Sequence, residues 1–492
     1  MQSVICTAFE QVSADNGDRI AVYGLSENLT RTFADLWRDF QAMTRVLAGL
    51  NLPPASCVVS SVGNRAAFVS LFLACLDRRL ALIPLDGHAP WPEVLSVART
   101  FGAAAVVGRT GAADAAATWT SLPGGLSLMR CESLNVGEGS HSCYGESVVL
   151  KLTSGSTDRP KAVVSSECNL ANDGRHIVEG MGIRRNDVSL AAIPIAHSYG
   201  LGNGVMPLLL QGSPLVLRDG FVPGQLAHDI AACGVTVLPG VPFMFDYIRR
   251  LGAAVSPTSS VRLLITAGAP IDVETVRFFK RTFGQKVHSF YGTSETGGIT
   301  FDASEDVSDP LTVGRPLPGT SVTLMASPTA APGEGRVHVR GDAVAARYAL
   351  PDDDEPLSAF TGDGFLAGDL ARLDTAGNLI LTGRVSRFVN IAGRKVHPEE
   401  IERVIREMPD VIEASVLGMP CPTRGEMLVA CVRQRGSLTA ASIRSQCAAR
   451  LSPHKIPRRI VFTEGIPADA RGKMDRRALE ALLSRALVDD EA

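Results

Sequence analysis

A chain of 492 residues is long enough for two or more domains with sizeable cores. Apolar residues make up 45% of it, which excludes a disordered chain, and a net charge of −3 gives no reason to expect nucleic acid or an anionic membrane surface as a partner. The ten cysteines form no C-x-x-C pair and no zinc spacing, so they read as thiols of a reducing compartment.

The N-terminus has no basic segment ahead of an apolar one, and the longest apolar stretches, 68–76 and 204–210, are too short to span a bilayer. A soluble cytoplasmic protein is expected. Phe33, Leu36, Phe40, Met43, Val46 and Leu47 recur at helical spacing. A short strand at 57–60, an apolar helix at 66–77 and a strand at 80–85 follow. Further apolar runs at 148–150, 189–193, 213–217, 235–238 and 261–265 read as buried strands. Strands alternating with helices predict α/β layers. From 312 to 384 the segments shorten and turns multiply, which predicts a β-rich part, with the acidic 351–356 stretch an exposed loop. Pro398-Glu-Glu-Ile401 then opens a helix, with proline in the first turn and acids at its positive end. Strands at 414–417, 427–432 and 459–463, and a helix carrying Ile443, Cys447 and Leu451, complete a small βαββαβα-like unit. The expected fold class is α/β. A large N-terminal domain of layered α/β subdomains plus a β-rich subdomain spans 1–383, a hinge 384–386, and a small mobile α+β C-terminal domain 387–492.

Four segments and one histidine carry chemistry. Thr153, Ser154, Gly155, Ser156 and Thr157 are five hydroxyl or glycine residues in a row, with Lys161 four positions on. Backbone N–H groups, short hydroxyls and a lysine can wrap an anion, although no Gly-Lys-Ser/Thr ending of the common phosphate loop is present. The plainer alternative is a Ser/Thr-rich surface turn. In Tyr291-Gly-Thr-Ser-Glu-Thr-Gly-Gly298, Glu295 offers carboxylate oxygens to a hard cation such as Mg²⁺, and Tyr291 offers a flat face to a purine; alone, the segment is as well read as a tight turn with an incidental acid. In Asp363-Gly-Phe-Leu-Ala-Gly-Asp369 a carboxylate can accept from two vicinal hydroxyls, or simply form an Asx-type turn. Lys473, in Arg-Gly-Lys473-Met-Asp-Arg-Arg477, would in isolation be solvated charge. His197 sits in Ile193-Pro-Ile-Ala-His-Ser-Tyr-Gly200, where an isolated histidine is usually a packing residue.

In this order, these segments resemble the signatures of the adenylate-forming superfamily: acyl-CoA synthetases, adenylation domains of peptide synthetases, and luciferases. The resemblance implies that 153–157 and Lys161 hold the phosphates of ATP and that Gly268, Ala269 and Pro270 lie against adenine. It implies that Tyr291 packs on the adenine ring beside Gly292, and that Ser294 stands in for a phosphate-contacting threonine. It further implies that Glu295 binds Mg²⁺, that Asp369 and Arg384 hold the ribose, that Ser386 is the hinge, and that Gly393 lies where a pantetheine arm enters. Lys473 would then bridge the substrate carboxylate and the α-phosphate. Asp158, Ala162, Ala367 and Asn390 depart from the family's residues. The implied reaction is ATP-dependent activation of a carboxylic acid through an acyl-adenylate, then acyl transfer to a thiol such as coenzyme A. The acyl pocket would be His197, Leu201, Gly202, Val205, Phe243, Ala267, Gly292, Gly298 and Ile299, mostly apolar or small, which suits an aryl or medium-chain acid. The 196–199 stretch lacks the aspartate that would pair with an α-ammonium, which disfavours an amino acid. Two alternatives stay open: a ligase that loads an acyl carrier protein or passes the adenylate to an amine, and a nucleotide-binding relative without catalysis.

Overall fold

The computed structural model describes residues 3–109, 119–131, 144–145, 147–153, 161–252, 260–307, 312–327, 330–350, 359–385, 389–391, 394–396, 398–421, 425–451, 455–468 and 474–489. Its contacts divide the chain into two units. The first comprises Met1–Thr323, His338–Phe365 and Asp374–Leu379; the second comprises Leu324–Val337, Leu366–Leu373 and Ile380–Ala492. The second unit takes pieces from before residue 380 because the strands Gly335–Gly341, Gly364–Leu373 and Leu379–Arg384 are hydrogen-bonded side by side. The architecture is mixed α/β, with a large N-terminal and a small C-terminal domain, as the alternating patterns predict.

Two sheets organise the large unit. Six strands of the first run parallel, in the spatial order Val287–Thr293, Leu263–Thr266, Val237–Gly240, Ser189–Ala191, Leu215–Leu217 and Ile20–Gly24. Antiparallel strands extend it at both ends: Gly297–Phe301 and Thr312–Pro316 at one, Leu29–Thr32 at the other. The second sheet has the order Arg347–Tyr348, Lys161–Ser166, Ser147–Thr153, Ala81–Leu85, Cys57–Ser61, Ala105–Arg109, Leu126–Arg130 and Trp119–Leu122. Its central strands are buried along their whole length, which is why they read as continuous apolar runs rather than as alternating ones.

Local rules account for the helices between the sheets. Thr32 and Asp35 form a reciprocal capping box that starts the Phe33–Gly49 helix, and Phe33, Leu36, Phe40, Met43 and Leu47 make its buried stripe. That stripe packs on the Ala66–Asp77 helix, buried all round from Ala66 to Leu76. Just before it, Asn64 Nδ2 donates to the carbonyls of Ala191, Ile193 and Arg218, while its Oδ1 accepts from Ile195 N. One buried amide thus ties the segment after a second-sheet strand to two strand ends of the first sheet, satisfying backbone groups that would otherwise be stranded.

In the second unit, the strands Arg394–Val396, Val389–Ile391, Gly425–Gln434 and Val411–Cys421 form a sheet in that order, with Arg459–Phe462 pairing to Gly425–Gln434. The Pro398–Arg406 and Ala440–Arg450 helices bring Ile401, Ile405, Ile443 and Cys447 onto a cluster with Val416 and Ala430. The Arg476–Asp489 helix brings Leu479 and Leu483 onto Leu417, Val429 and Cys431. Period-2 alternation along the two long strands splits these residues between the two faces. Among the described residues, no helix is long and apolar enough to cross a membrane, and of the eight cysteines whose side chains are described seven are buried, Cys168 being exposed.

Candidate active site

The strands flanking the hydroxyl-rich segment form a hairpin. Ser147–Thr153 and Lys161–Ser166 pair antiparallel, with Thr153 opposite Lys161. Ser154, Gly155, Ser156, Thr157 and Asp158 lie outside the described residues, and of Thr153 only the backbone is described. Lys161 Nζ lies over the ring of Tyr348, 6.0 Å from its centroid, within cation–π reach. Ala162 is buried in the core and opposite Leu152, and its carbonyl accepts from Ala349 N. A methyl at this position is therefore accommodated by core packing.

Glu295 stands at the tip of a second hairpin. Tyr291, Gly292 and Thr293 pair with Thr300, Gly298 and Gly297, leaving a three-residue turn at 294–296. Gly297 closes it at φ +69°, a left-handed conformation that costs glycine little. Gly292 is needed for proximity: a Cβ there would sit 2.5 Å from the Gly297 carbonyl oxygen. The Glu295 backbone carbonyl accepts from Ala345 N, and Glu295 Oε1 accepts from Tyr348 Oη at 2.9 Å. Tyr348 therefore joins the lysine of the first hairpin to the carboxylate of the second. Its strand, Arg347–Tyr348, pairs with Lys161–Ser166 and so carries the ring to both. Nothing in the sequence marks it: Ala-Arg-Tyr-Ala is a segment without motif or period.

Several of the other predicted residues of this unit lie on or just after the ends of the parallel strands. Thr266, Gly240 and Thr293 end three adjacent parallel strands, so the loops that follow all leave at one side of the sheet, the usual place for ligands in open α/β sheets. Gly268 (φ +88°), Ala269 and Pro270 form an exposed loop there. Tyr291 is buried at 8% exposure. Ser198 Oγ donates to Ser294 Oγ at 3.2 Å, which brings the loop of His197 to the Glu295 turn. His197 caps the short turn Ser198–Gly200, and a Cβ at Gly200 would fall 2.2 Å from the Pro194 carbonyl oxygen, so the chain can double back only with glycine. Next to it, Tyr199 Oη donates to the Ile265 carbonyl, and burial pushes its phenol far above the ordinary tyrosine range.

Of the predicted acyl-pocket residues, Gly202, Ala267, Gly298 and Ile299 are buried on this side. Leu201 and Val205 pack into the large core cluster with Leu208 and Leu215. Phe243 is 58% exposed and packs edge-on against Phe221.

In the second unit, Asp369 and Arg384 face each other across neighbouring strands, with Arg384 Nε donating to Asp369 Oδ1 at 2.6 Å. Asp369 is buried and Arg384 exposed. Phe365 is buried against Phe360, and Ala367 is buried with its carbonyl accepting from Arg336. Ser386, Gly393 and Lys473 lie outside the described residues, as does the side chain of Asn390. Ala468 and Met474, which flank the segment carrying Lys473, pair antiparallel.

Magnesium fits the donor set. Glu295 supplies hard oxygen in a turn with the hydroxyls of Thr293, Ser294 and Thr296, and among the described residues no three His, Cys, Asp or Glu cluster into a protein-only metal cage. One carboxylate beside substrate phosphates is the usual arrangement for this ion.

Family models match both parts of the chain. The family model for AMP-binding enzyme matches residues 9–349, and that for AMP-binding enzyme C-terminal domain matches 400–473. The 2-succinylbenzoate–CoA ligase of Geobacillus kaustophilus (strain HTA426) is 31% identical over 347 residues, covering 69% of this chain and 70% of that protein. YngI of Bacillus subtilis (strain 168) is 29% identical over 342 residues, covering 67% of this chain and 62% of its own length. ATP-bound MatB from Rhodopseudomonas palustris shares the fold, with a TM-score of 0.84, 24% identity, and coverage of 98% of this chain and 99% of that one. The chain belongs to the AMP-binding enzyme family, the adenylate-forming superfamily.

Proposed function

We propose that this protein is an AMP-forming acid–thiol ligase: it activates a carboxylic acid as its adenylate with release of pyrophosphate, then transfers the acyl group to coenzyme A. The observation that carries the reading is the meeting of Lys161 and Glu295 on Tyr348. A cation suited to phosphate and a carboxylate suited to a metal ion are held by one ring, beside the loop of His197 and Ser198. That a relative 31% identical is a CoA ligase supports the thiol acceptor.

In the first half-reaction an oxygen of the substrate carboxylate bonds to the α-phosphorus of ATP as the bond to the bridging oxygen breaks, and pyrophosphate leaves. Residues 153–157 and Lys161 orient the phosphates, and Lys473 neutralises charge between the carboxylate and the α-phosphate. Glu295 would hold a magnesium ion, which would supply further charge neutralisation at the phosphates. Gly268–Pro270, Tyr291 and Gly292 hold adenine; Asp369 and Arg384 hold ribose, their ion pair opening to admit the hydroxyls. In the second half-reaction the small domain, 387–492, turns about Ser386 relative to 1–383. That withdraws Lys473 and brings Gly393 to the pantetheine arm; the thiolate bonds to the acyl carbon and AMP departs with the bonding pair.

The acid is read as aryl or medium-chain without an α-amino group, bound by His197, Leu201, Gly202, Val205, Phe243, Ala267, Gly292, Gly298 and Ile299. One carboxylate absent from the sequence reading, Asp173, touches Gly298 N. It is almost fully buried, its Oδ1 already accepts from that N–H, and burial pushes its carboxyl above the ordinary range, so it is not the ionised, open carboxylate that a substrate ammonium would need. The test is pyrophosphate release over a panel of aryl, medium-chain and amino acids with and without coenzyme A. Release with aryl or medium-chain acids, and thioester only with coenzyme A, is expected; selective release with amino acids contradicts the assignment.

A further inference from the structure

The second sheet of the large unit ends on a cavity that no motif touches. The strands Cys57–Ser61, Ala81–Leu85 and Ala105–Arg109 run parallel, so the loops after Ser61, Leu85 and Arg109 all leave at one edge. From Cys57–Ser61 the chain passes to a neighbour on one side, then crosses to Ala105–Arg109 on the other. Such a reversal of strand order opens a crevice at the carboxyl ends, where ligands bind in open α/β sheets. Here the crevice is a cavity of about 260 Å³, lined by Ser61, Gly87, His88, Trp91, Gly108 and Arg109. A Cβ at Gly87 would fall 2.6 Å from the Gly63 Cα, so two loops meet there backbone to backbone; a Cβ at Gly108 would meet nothing within 4 Å, so the space beside that strand end is open. The Ser147–Thr153 strand, which leads into the hydroxyl-rich segment, runs parallel to Ala81–Leu85 and ends at the same edge. Arg109 lies three strands away from it, roughly 14 Å at the usual strand spacing.

The titratable side chains that line this cavity are both basic, Arg109 and His88, and Trp91 adds a flat aromatic wall braced by Trp119, 5.6 Å away between ring centroids. Arg109 donates one N–H to the Gly87 carbonyl, which fixes its guanidinium at the rim. Behind the lining, Asp219 approaches Arg109, His88 and Arg65 at 3.6, 3.7 and 3.7 Å, each beyond hydrogen-bond reach. Arg65 also faces Glu27 at 3.7 Å, and Asp86 accepts from the His88 backbone N–H. We propose that this cavity binds the phosphorylated adenosine end of coenzyme A, with the purine against Trp91 and a phosphate on Arg109 and His88. This deepens the coenzyme A reading given above and rests on it. Coenzyme A carries its thiol on a long arm, so its nucleotide needs a hold set apart from the phosphates of ATP, and this cavity supplies one along the same sheet edge. A carrier protein presents the same arm without a nucleotide and would leave the cavity unused. A charge cluster that served only to join the two sheets through Asp219 would be indifferent to which thiol is supplied.

The test uses the full-length protein and the variants Arg109→Met, Trp91→Leu and His88→Ala. Thioester formation is measured with coenzyme A and with pantetheine, which has the same thiol arm and no nucleotide, and pyrophosphate release is measured without thiol. Wild type should show a KM for coenzyme A well below that for pantetheine. Arg109→Met should raise the coenzyme A KM about tenfold, the scale of a hydrogen bond to a charged group, and Trp91→Leu about fivefold, the scale of a base stacked on an aromatic ring. Neither should move the pantetheine KM, the ATP KM or pyrophosphate release. Equal KM values for the two thiols in wild type, equal loss with both thiols in the variants, or a raised KM for ATP in place of coenzyme A overturns the proposal. If Arg109→Met does not fold, His88→Ala still decides, because its side chain is 66% exposed; it should raise the coenzyme A KM about threefold and spare pantetheine, and an unchanged KM contradicts the site. Pyrophosphate release with no thioester from either thiol sinks the acceptor reading instead. Calorimetric binding of coenzyme A then still judges the cavity: weaker binding by Arg109→Met than by wild type supports it, and equal or absent binding overturns it.

Discussion

Tyr348 concentrates at one residue the link between the Lys161 hairpin and the Glu295 hairpin. Its hydroxyl donates to Glu295 while its face lies under Lys161. A hydrogen bond to an ionised group contributes about 1.5–3 kcal/mol. Tyr348→Phe keeps the ring and removes only that bond, so adenylation kcat/KM should fall roughly 10- to 100-fold with little change in thermal stability. Pyrophosphate-release kinetics check this, and wild-type kinetics would show that Glu295 is held by other means. A purely structural charge pair lies farther down the same sheet. Lys286 and Asp302 are both almost fully buried, 2.6 Å apart, and Lys286 Nζ also donates to the carbonyls of Ser304 and Asp306. Lys286→Met strands a buried carboxylate and should cost about 3–5 kcal/mol, read by urea unfolding. A loss below about 1 kcal/mol would mean that water reaches Asp302.

At the scale of elements, the Val287–Thr293 strand carries a pH-dependent term. His288 Nδ1 donates to the Asp302 carbonyl at 2.8 Å, and its Nε2 faces Glu305 at 3.6 Å. Burial depresses its basicity below 6.5, against the opposing pull of that carbonyl, Glu305 and Asp302, and with help from Lys286. The unfolded chain therefore binds the extra proton first. Stability falls as pH drops below 6.5 toward the lower folded value, and levels off beneath it. Denaturant unfolding at pH 7.5 and 5.5 should show this loss, and His288→Gln should shrink it; an equal slope in the variant would move the cause elsewhere.

The parallel strands were legible in the sequence because burial on both faces writes an uninterrupted apolar run. Their ends were less so. Of the run 213–217 only Leu215–Leu217 is strand, because Pro214 has no N–H to give and only its carbonyl joins the ladder, accepting from Ser189 N. The strands Ala105–Arg109, Leu126–Arg130 and Trp119–Leu122 carried no clear period; pairing with one another and with Cys57–Ser61 defines them. Conversely, Val411–Cys421 and Gly425–Gln434 run beyond their apolar centres because each supplies the other's hydrogen bonds. Glu295, Tyr291 and Ser294 were legible because a motif names them. Tyr348 and Asp173 were not, since each reaches the Glu295 turn only through a contact distant in sequence.

On the proposed function, the large unit of the whole molecule would take the phosphates, metal ion and acid, and the small one would supply the lysine of the first half-reaction. Lys473→Ala should lower adenylate formation by about a thousandfold, the scale seen when a charge-stabilising group is removed, while thioester formation from supplied acyl-adenylate stays within about threefold of wild type. Equal loss of both would assign Lys473 to a general structural role. Asp158→Gly should leave activity equal or higher, because a carboxylate beside a phosphate site repels its ligand. Collapse of activity would make Asp158 part of the site.

The most direct measurement mixes the enzyme with ATP, magnesium and a panel of carboxylic acids in the absence of any thiol, and looks for the enzyme-bound product by mass spectrometry. A stoichiometric acyl-adenylate with one equivalent of pyrophosphate is expected, discharged to a thioester and AMP when coenzyme A is added. ATP bound but unconsumed with every acid, or ADP and phosphate in place of AMP and pyrophosphate, would contradict it.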